Sequence, residues 1–280
     1  MATPTDTNTS TSAPTGLLVP EKPTIVIVQG SFQTPLVYDG LLKGLVAEGY
    51  PSLHPKLPSC TDVDSPEFPS VTLVDDALAV RLEVTKLVEY ESKTVVVVMH
   101  SYGGLVGSEA VPEELSFTHR QAKRLSGGVI HLFYFSAFVL SEGQSVLGTF
   151  GESPNNDVKP DGRYIVRNGG KVLYNDLPEP EAALWESRLI VQSYNVQLTK
   201  LTRAAYQYIS STYLICENDQ AAPLQFQEMF AATAKAHVER CSAGHSAMLS
   251  QPAMLISKLM AAINVALSEK DREVAGQHGL

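Results

Sequence analysis

TVVVVMHSYGG, residues Thr94 to Gly104, decides the fold. Four consecutive valines and a methionine make a strand apolar on both faces, as a strand buried inside a parallel sheet must be. The run stops at Ser101, and the small residues Gly103 and Gly104 open a helix directly afterwards. A serine on so short a strand-to-helix turn sits in strained backbone, so the residues two before and two after it must be small. Gly103 meets that demand on one side, and Gly104 adds room for the helix to pack. Met99 departs from it on the other.

The pattern repeats on both sides of this stretch. TIVIVQ, Thr24 to Gln29, is another buried strand and stops at Gly30-Ser31. Helical spacing follows over Leu36–Glu48 and ends at Gly49; a short strand falls near Tyr50–His54. A Pro/Ser/Asp-rich loop leads to an amphipathic helix over Leu73–Glu89. Val129–Ser136 is a further strand. Thr212–Cys216 and His237–Cys241 read as strands, Leu224–Ala234 and Pro252–Leu267 as helices. Strands alternating with helices predict an α/β fold, a mostly parallel sheet covered on both faces.

Residues 140–211 break this rhythm. Tyr164–Val166 and Val172–Tyr174 flank an Asn-Gly pair and predict a hairpin. Glu179 to Lys200 predicts one helix, opened by Pro178 and Pro180. The expected organisation is a Thr/Ser/Pro-rich extension over 1–21, without the features of a signal peptide. A core over 22–139 and 212–268 follows, with an inserted lid over 140–211 and a frayed tail over 269–280.

Two more side chains complete a candidate site. Asp219 stands just past the strand 212–216, at the carboxyl edge where open α/β sheets bind ligands. A carboxylate there can orient a histidine and stabilise its imidazolium form. Glu217 and Glu142 are the alternatives. His245, in SAGHSAML, follows the last strand on a loop that can reach back to Ser101. His100 adjoins the serine but must point away from it. His131 and His237 lie in strands, and His54 and His119 lie near loops without a partner.

Composition narrows the function. Of 280 residues, 44% are hydrophobic and 18% charged, and the net charge of −9 opposes binding to a phosphate backbone. No nucleic-acid or membrane partner is expected, and a homodimer is left open. The three cysteines, Cys60, Cys216 and Cys241, suggest no disulfide framework and fit a reducing, cytoplasmic setting. No metal spacing, dinucleotide fingerprint or P-loop is present, so neither metal nor cofactor is expected.

The motifs VQGS, VVVVMHSYGGLVG, VLYNDLPEPEAALW, TYLICENDQAAPLQFQEM and SAGHSAMLSQP together resemble one group. It is the branch of the α/β-hydrolases that holds plant methyl-ester esterases and hydroxynitrile lyases, with fungal and bacterial relatives. The resemblance covers nearly all of 23–266. It implies a six-stranded sheet, Ser101 as nucleophile, Asp219 as acid and His245 as base. It also implies an oxyanion hole from the Ser31 and Tyr102 amides. Lyases of the rubber-tree type carry a lysine after the histidine and a hydroxyl residue in place of the oxyanion-loop glycine. Ser246 and Gly30 stand here instead, which favours hydrolysis. Gln29 replaces the histidine usual before that glycine.

The expected activity is hydrolysis of a carboxylic ester or lactone of a small, largely apolar molecule through an acyl-enzyme. Lyase, cyclase or isomerase chemistry on the same triad and a hydrolase-fold binding protein are the competing readings. Phe32, Phe138, Tyr164 and Trp185 are the expected substrate-binding residues, with Tyr102, Leu147, Phe150 and Leu173 as further candidate walls.

Overall fold

The computed structural model describes residues 21–278. All of the extension expected over 1–21 except Glu21 lies outside them. The strands among the described residues are β1 (Thr24–Val28), β2 (Ser52–Leu53), β3 (Thr94–His100), β4 (Gly128–Phe135), β5 (Asn156–Val158), β6 (Arg163–Val166), β7 (Gln192–Ser193), β8 (Ser211–Cys216) and β9 (His237–Cys241). Six of them form one parallel sheet in the order β2-β1-β3-β4-β8-β9. This is the six-stranded parallel sheet that the resemblance implied.

The valine run explains why β3 lies in the middle. Val95 to Met99 are all fully buried, and their side chains alternate between two apolar layers. Val95, Val97 and Met99 face the layer with the helix Leu73–Thr85, while Val96 and Val98 face the layer with the helix Pro252–His278. Every strand of this sheet runs the same way, so all the loops that follow strands emerge along one edge.

Four local expectations are corrected. The helix expected over Leu73–Glu89 is α-helical over Leu73–Thr85 and closes as a wider π turn over Lys86–Tyr90. The Asn-Gly hairpin does not form. Asn168 takes the left-handed backbone that such a turn uses, but Gly169–Val172 then closes into a helical turn. The strand β6 pairs instead with β5 and with β7. The helix expected over 179–200 ends at Glu186, because Ile190 donates its N–H to Phe32 O and Gln192–Ser193 joins β6. Tertiary hydrogen bonds override local helical preference there. Finally, the tail expected to fray is helical to His278. Arg272 Nε donates to Ser268 O, Thr118 Oγ1 to Glu273 Oε2, and Lys270 Nζ lies over the Phe117 ring.

Candidate active site

Ser101 has φ of +53°, a left-handed conformation that side chains rarely adopt. The turn is held by close backbone approach. A Cβ on Gly103 would lie 2.3 Å from Val28 O and 2.7 Å from Gln29 O, and one on Gly104 would lie 2.1 Å from Phe138 O. Main-chain bonds brace the turn as well, with Gly104 and Phe138 both donating to Ser101 O at 3.0 Å.

Met99 is accommodated by a different glycine. A Cβ on Gly107 would fall 2.3 Å from Met99 Sδ and 2.7 Å from Met99 Cγ. The bulk admitted two residues before Ser101 is thus offset by its absence one helical turn further on. Gly30, just past β1, is constrained too, since a Cβ there would press on Ser101 Cβ at 2.9 Å.

His245 Nδ1 lies 2.9 Å from Asp219 Oδ2 and 3.1 Å from Oδ1, and both side chains are buried. Asp219 Oδ1 also accepts from the Ala221 and Ala222 amides, at 2.7 and 2.9 Å. These bonds fix the direction of the carboxylate. The alternatives are elsewhere: Glu217 is exposed and pairs with Arg240, and Glu142 is exposed. With Nδ1 bonded to the carboxylate, the His245 Nε2 is the nitrogen left for the reacting groups. Ser101 and His245 line the same cavity, although no hydrogen bond joins them among the described residues. Such contacts commonly tighten only when a substrate is bound.

His100 points away from the cavity, as expected, into a buried network. Its Nε2 lies 2.9 Å from His245 O and its Nδ1 2.7 Å from the Tyr38 hydroxyl. Burial, reinforced by the His245 ring, drives its pKa well below the usual histidine value, so the ring is neutral. A carbonyl can only accept, so Nε2 carries the proton and Nδ1 accepts from Tyr38. The Tyr38 oxygen in turn accepts from the Gly30 amide at 2.8 Å, and the Gln33 side-chain amide lies 2.8 Å away. Since the Tyr38 proton is already committed to His100, Gln33 is best oriented with its NH₂ towards Tyr38. One tyrosine thereby ties the turn before Ser31 to the loop that carries His245.

The cavity measures about 300 Å³. Ser31, Phe32, Phe138 and Tyr164 line it, together with Phe150 and Leu173. Three expected wall residues lie elsewhere. Trp185 packs beside the core under the Arg188 guanidinium, 4.8 Å from its ring centroid. Tyr102 turns its ring into the core and gives its hydroxyl to Asp76 Oδ2 at 2.8 Å. Leu147 is likewise outside the lining. Phe226 and Phe230 are walls that the sequence reading missed. They sit four apart on one helix, Leu224–Ala234, and their ring contacts with Phe150 complete an aromatic wall.

Residues 25–257 match the model of a family described as the alpha/beta hydrolase family. The chain belongs to the alpha/beta hydrolase family. Alpha/beta hydrolase nvfD of Aspergillus novofumigatus (strain IBT 16806) is 31% identical over 255 residues, which cover 88% of this chain and 98% of that protein. Among solved structures, polyneuridine aldehyde esterase superposes with a TM-score of 0.68 at 16% identity, covering 86% of this chain and 99% of its own. The Arabidopsis methylesterase MES16 gives 0.65 at 18% identity, with coverage of 86% and 99%.

In this alpha/beta hydrolase the neighbouring loops hold this edge of the sheet together. Asn218 donates through N to Ala243 O and through Nδ2 to Ser242 O, so the Asp219 and His245 loops are laced side by side. Asp176, from the segment between β4 and β8, accepts the Gly244 N–H at 2.6 Å. A Cβ on Gly244 would stand 2.6 Å from Asn175 Oδ1 and Asp176 Oδ1, so a side chain before His245 would push those two side-chain ends aside. The sequence carries no signal for Asp176, Gln33 or Tyr38. It does carry one for Asp76. On the helix Leu73–Thr85 the buried residues are Leu73, Asp76, Ala77, Val80 and Val84, a helical stripe with one acid in it. An acid on an apolar stripe must find donors inside the core.

Proposed function

We propose that this protein is a serine hydrolase that cleaves a carboxylic ester or lactone of a small, uncharged, largely apolar molecule through an acyl-enzyme. The observation that carries the reading is Ser101 in strained backbone on the wall of an aromatic cavity, opposite a His245 that Asp219 orients. His245 removes the Ser101 proton as Oγ bonds to the carbonyl carbon. The Ser31 and Tyr102 N–H groups hold the resulting oxyanion, each such donor contributing about 3 kcal/mol to the transition state. The intermediate collapses, the C–O bond to the alcohol breaks, and His245 returns the proton to the leaving oxygen. Water then attacks the acyl-enzyme by the same steps and frees Ser101.

Several features support the substrate class. The cavity wall holds Phe138, Phe150, Phe226 and Phe230. Among the described residues Glu152 is the one carboxylate in its lining, and no lysine or arginine lines it, so an anionic substrate finds no counter-charge. Ser246, buried beside His245 and 3.3 Å from the Gln33 amide, leaves no cation after the histidine. The esterase names of two structures sharing the fold agree with this reading.

Hydrolysis of short-chain p-nitrophenyl esters by the wild type and by Ser101→Ala tests the proposal. Turnover that the substitution abolishes, with fluorophosphonate labelling at Ser101, is the expected result. A wild type that neither turns over esters nor takes the label refutes it.

A further inference from the structure

Asp76 is fully buried, with no lysine or arginine among its hydrogen-bond or charge partners within the described residues. Its carboxylate accepts the Ser59 amide at 2.8 Å, the Ser59 hydroxyl at 2.5 Å and the Tyr102 hydroxyl at 2.8 Å. Burial pushes this carboxyl up to about 6, against the pull of the Ser59 and Tyr102 bonds. The titratable neighbours are Asp75, on the same helix, together with the Cys60 thiol and the phenols of Tyr102 and Tyr164. A lone carboxylate costs stability at such a site unless its donors are well placed.

The donors form a directed chain. Gln197 Nε2 donates to the Tyr164 oxygen at 2.7 Å, and the Tyr164 hydroxyl donates to Gln192 Oε1 at 2.8 Å. Gln192 Nε2 donates to Ser59 Oγ at 2.8 Å, and Ser59 donates to Asp76. Every proton points towards the carboxylate, so each bond polarises the next. The chain begins on the cavity wall, where Tyr164 packs edge-on against Phe32 with ring centroids 4.9 Å apart. On the other side of Asp76 is Tyr102, whose main-chain N–H is the second oxyanion donor under the proposed function.

We infer that Asp76 is a positioning residue: by gripping the Tyr102 hydroxyl it fixes the Tyr102 amide against the oxyanion, while the chain from Tyr164 through Gln192 and Ser59 fixes Asp76. Nothing in acyl transfer requires a tyrosine side chain at position 102. A buried tyrosine with its hydroxyl on a buried carboxylate does, however, remove the freedom of the residue to rotate about its own main chain. The inference rests on the serine hydrolase reading.

Asp76→Asn and Tyr102→Phe, alone and combined, test it in the full chain. The asparagine side chain cannot accept from all three donors, because its NH₂ must face one of them. Tyr102→Phe removes a single hydroxyl and keeps the amide, so it remains informative if Asp76→Asn does not fold. Active enzyme is counted by fluorophosphonate titration, so unfolded protein does not enter kcat. The expected result with a p-nitrophenyl ester is a kcat about tenfold or more lower in each variant, with KM within about twofold. The Ki of a trifluoromethyl ketone, which forms the oxyanion on Ser101, should rise in parallel with the fall in kcat. The double variant should be no worse than the poorer single one, since both cut the same link. Folded variants with wild-type kcat and Ki, or effects that multiply in the double variant, overturn the inference and leave the serine hydrolase reading standing. A wild type that neither hydrolyses the ester nor takes the label overturns both.

Discussion

Adding one methyl group at Gly103 should damage both stability and catalysis, and the structure sets the scale. The new Cβ would lie 2.3 Å from Val28 O, 2.7 Å from Gln29 O and 2.8 Å from Val28 C. Carbon–oxygen contacts ordinarily sit at roughly 3.3–3.6 Å, so the overlap is about 1 Å. Alanine in a helix gains up to about 1 kcal/mol over glycine. Overpacking a buried site costs about 1–3 kcal/mol, and the upper end applies here because backbone atoms cannot rotate aside as a side chain can. The net expectation for Gly103→Ala is a loss of about 2 kcal/mol, or roughly 4–8 °C in Tm. Relief of the overlap must push the helix Gly103–Ala110 away from β1, and with it Ser101 and the Tyr102 amide away from Ser31. A misplacement near 1 Å costs about 100-fold in rate. Gly40→Ala is the control: it lies in the helix Asp39–Ala47 with nothing within 4 Å of its Cβ, so helix propensity alone acts and the variant should match or exceed wild type. Thermal unfolding followed by circular dichroism, with p-nitrophenyl ester kcat on the same samples, reads both quantities. If Gly103→Ala melts with Gly40→Ala and retains wild-type kcat, the argument from close backbone approach is wrong.

Three further outcomes follow from the same geometry. Asp219→Asn should lower kcat by about 10⁴-fold, since the amide cannot hold the His245 tautomer, whereas Glu217→Gln should leave kcat unchanged; equal effects would undo the choice of acid. Gly107→Ala forces Met99 out of place and should destabilise, and Met99→Ala should relieve it, so urea midpoints should show a coupling of about 0.5–3 kcal/mol between the two. Additive effects would deny their contact. His54 is half-buried and stacked on Tyr38 at 5.0 Å, with both ring nitrogens shielded from solvent and unpartnered, and burial lowers its pKa to about 4. Its folded pKa is below its unfolded one of about 6.5, so the unfolded chain binds more protons between these values and stability falls as pH drops from about 6.5 to about 4. His54→Phe should be at least as stable as wild type at a pH of about 7.5 and should flatten that acid loss; an unchanged slope in urea titrations would place the loss elsewhere.

What could be read from the sequence is what local pattern controls. The valine run before Ser101 demanded a buried strand, and the strand-helix alternation demanded a parallel sheet. The segment between β4 and β8 resisted because its conformation is set from outside. Gln192–Ser193 joins β6, and Ser193 Oγ donates to Val71 O at 2.7 Å, a bond that no helical spacing announces. Arg163 reaches Val63 O and Ser65 O, so the small sheet is anchored on the loop before the helix Leu73–Thr85. Met99 was legible as a departure from the small-residue rule, but its partner Gly107 was not, because that pairing depends on how the helix packs on β3. Trp185 departs from expectation for a similar reason: the helix stops at Glu186, and its ring lies beside the core instead of on the cavity wall.

The sheet order accounts for how the candidate residues meet. Ser101 follows β3, Asp219 follows β8 and His245 follows β9, and β4 lies between β3 and β8. Asp219 and His245 are therefore neighbours by strand pairing, and the Asn218 bonds to Ala243 and Ser242 extend that pairing past the strand ends. Ser101 is three strands from β9, so the His245 loop must cross back along the sheet edge. In that loop the His245 carbonyl and the Gly244 N–H are held by side chains from both flanks. His100 takes that task on the Ser101 side by donating to His245 O, and Asp176 takes it on the other by accepting from Gly244 N–H. The segment that walls the cavity is thus also part of the frame for His245. A substitution at Asp176 should disturb His245 without touching Ser101, whereas one at Tyr38 should disturb the Gly30 turn and His245 together, since one hydroxyl serves both.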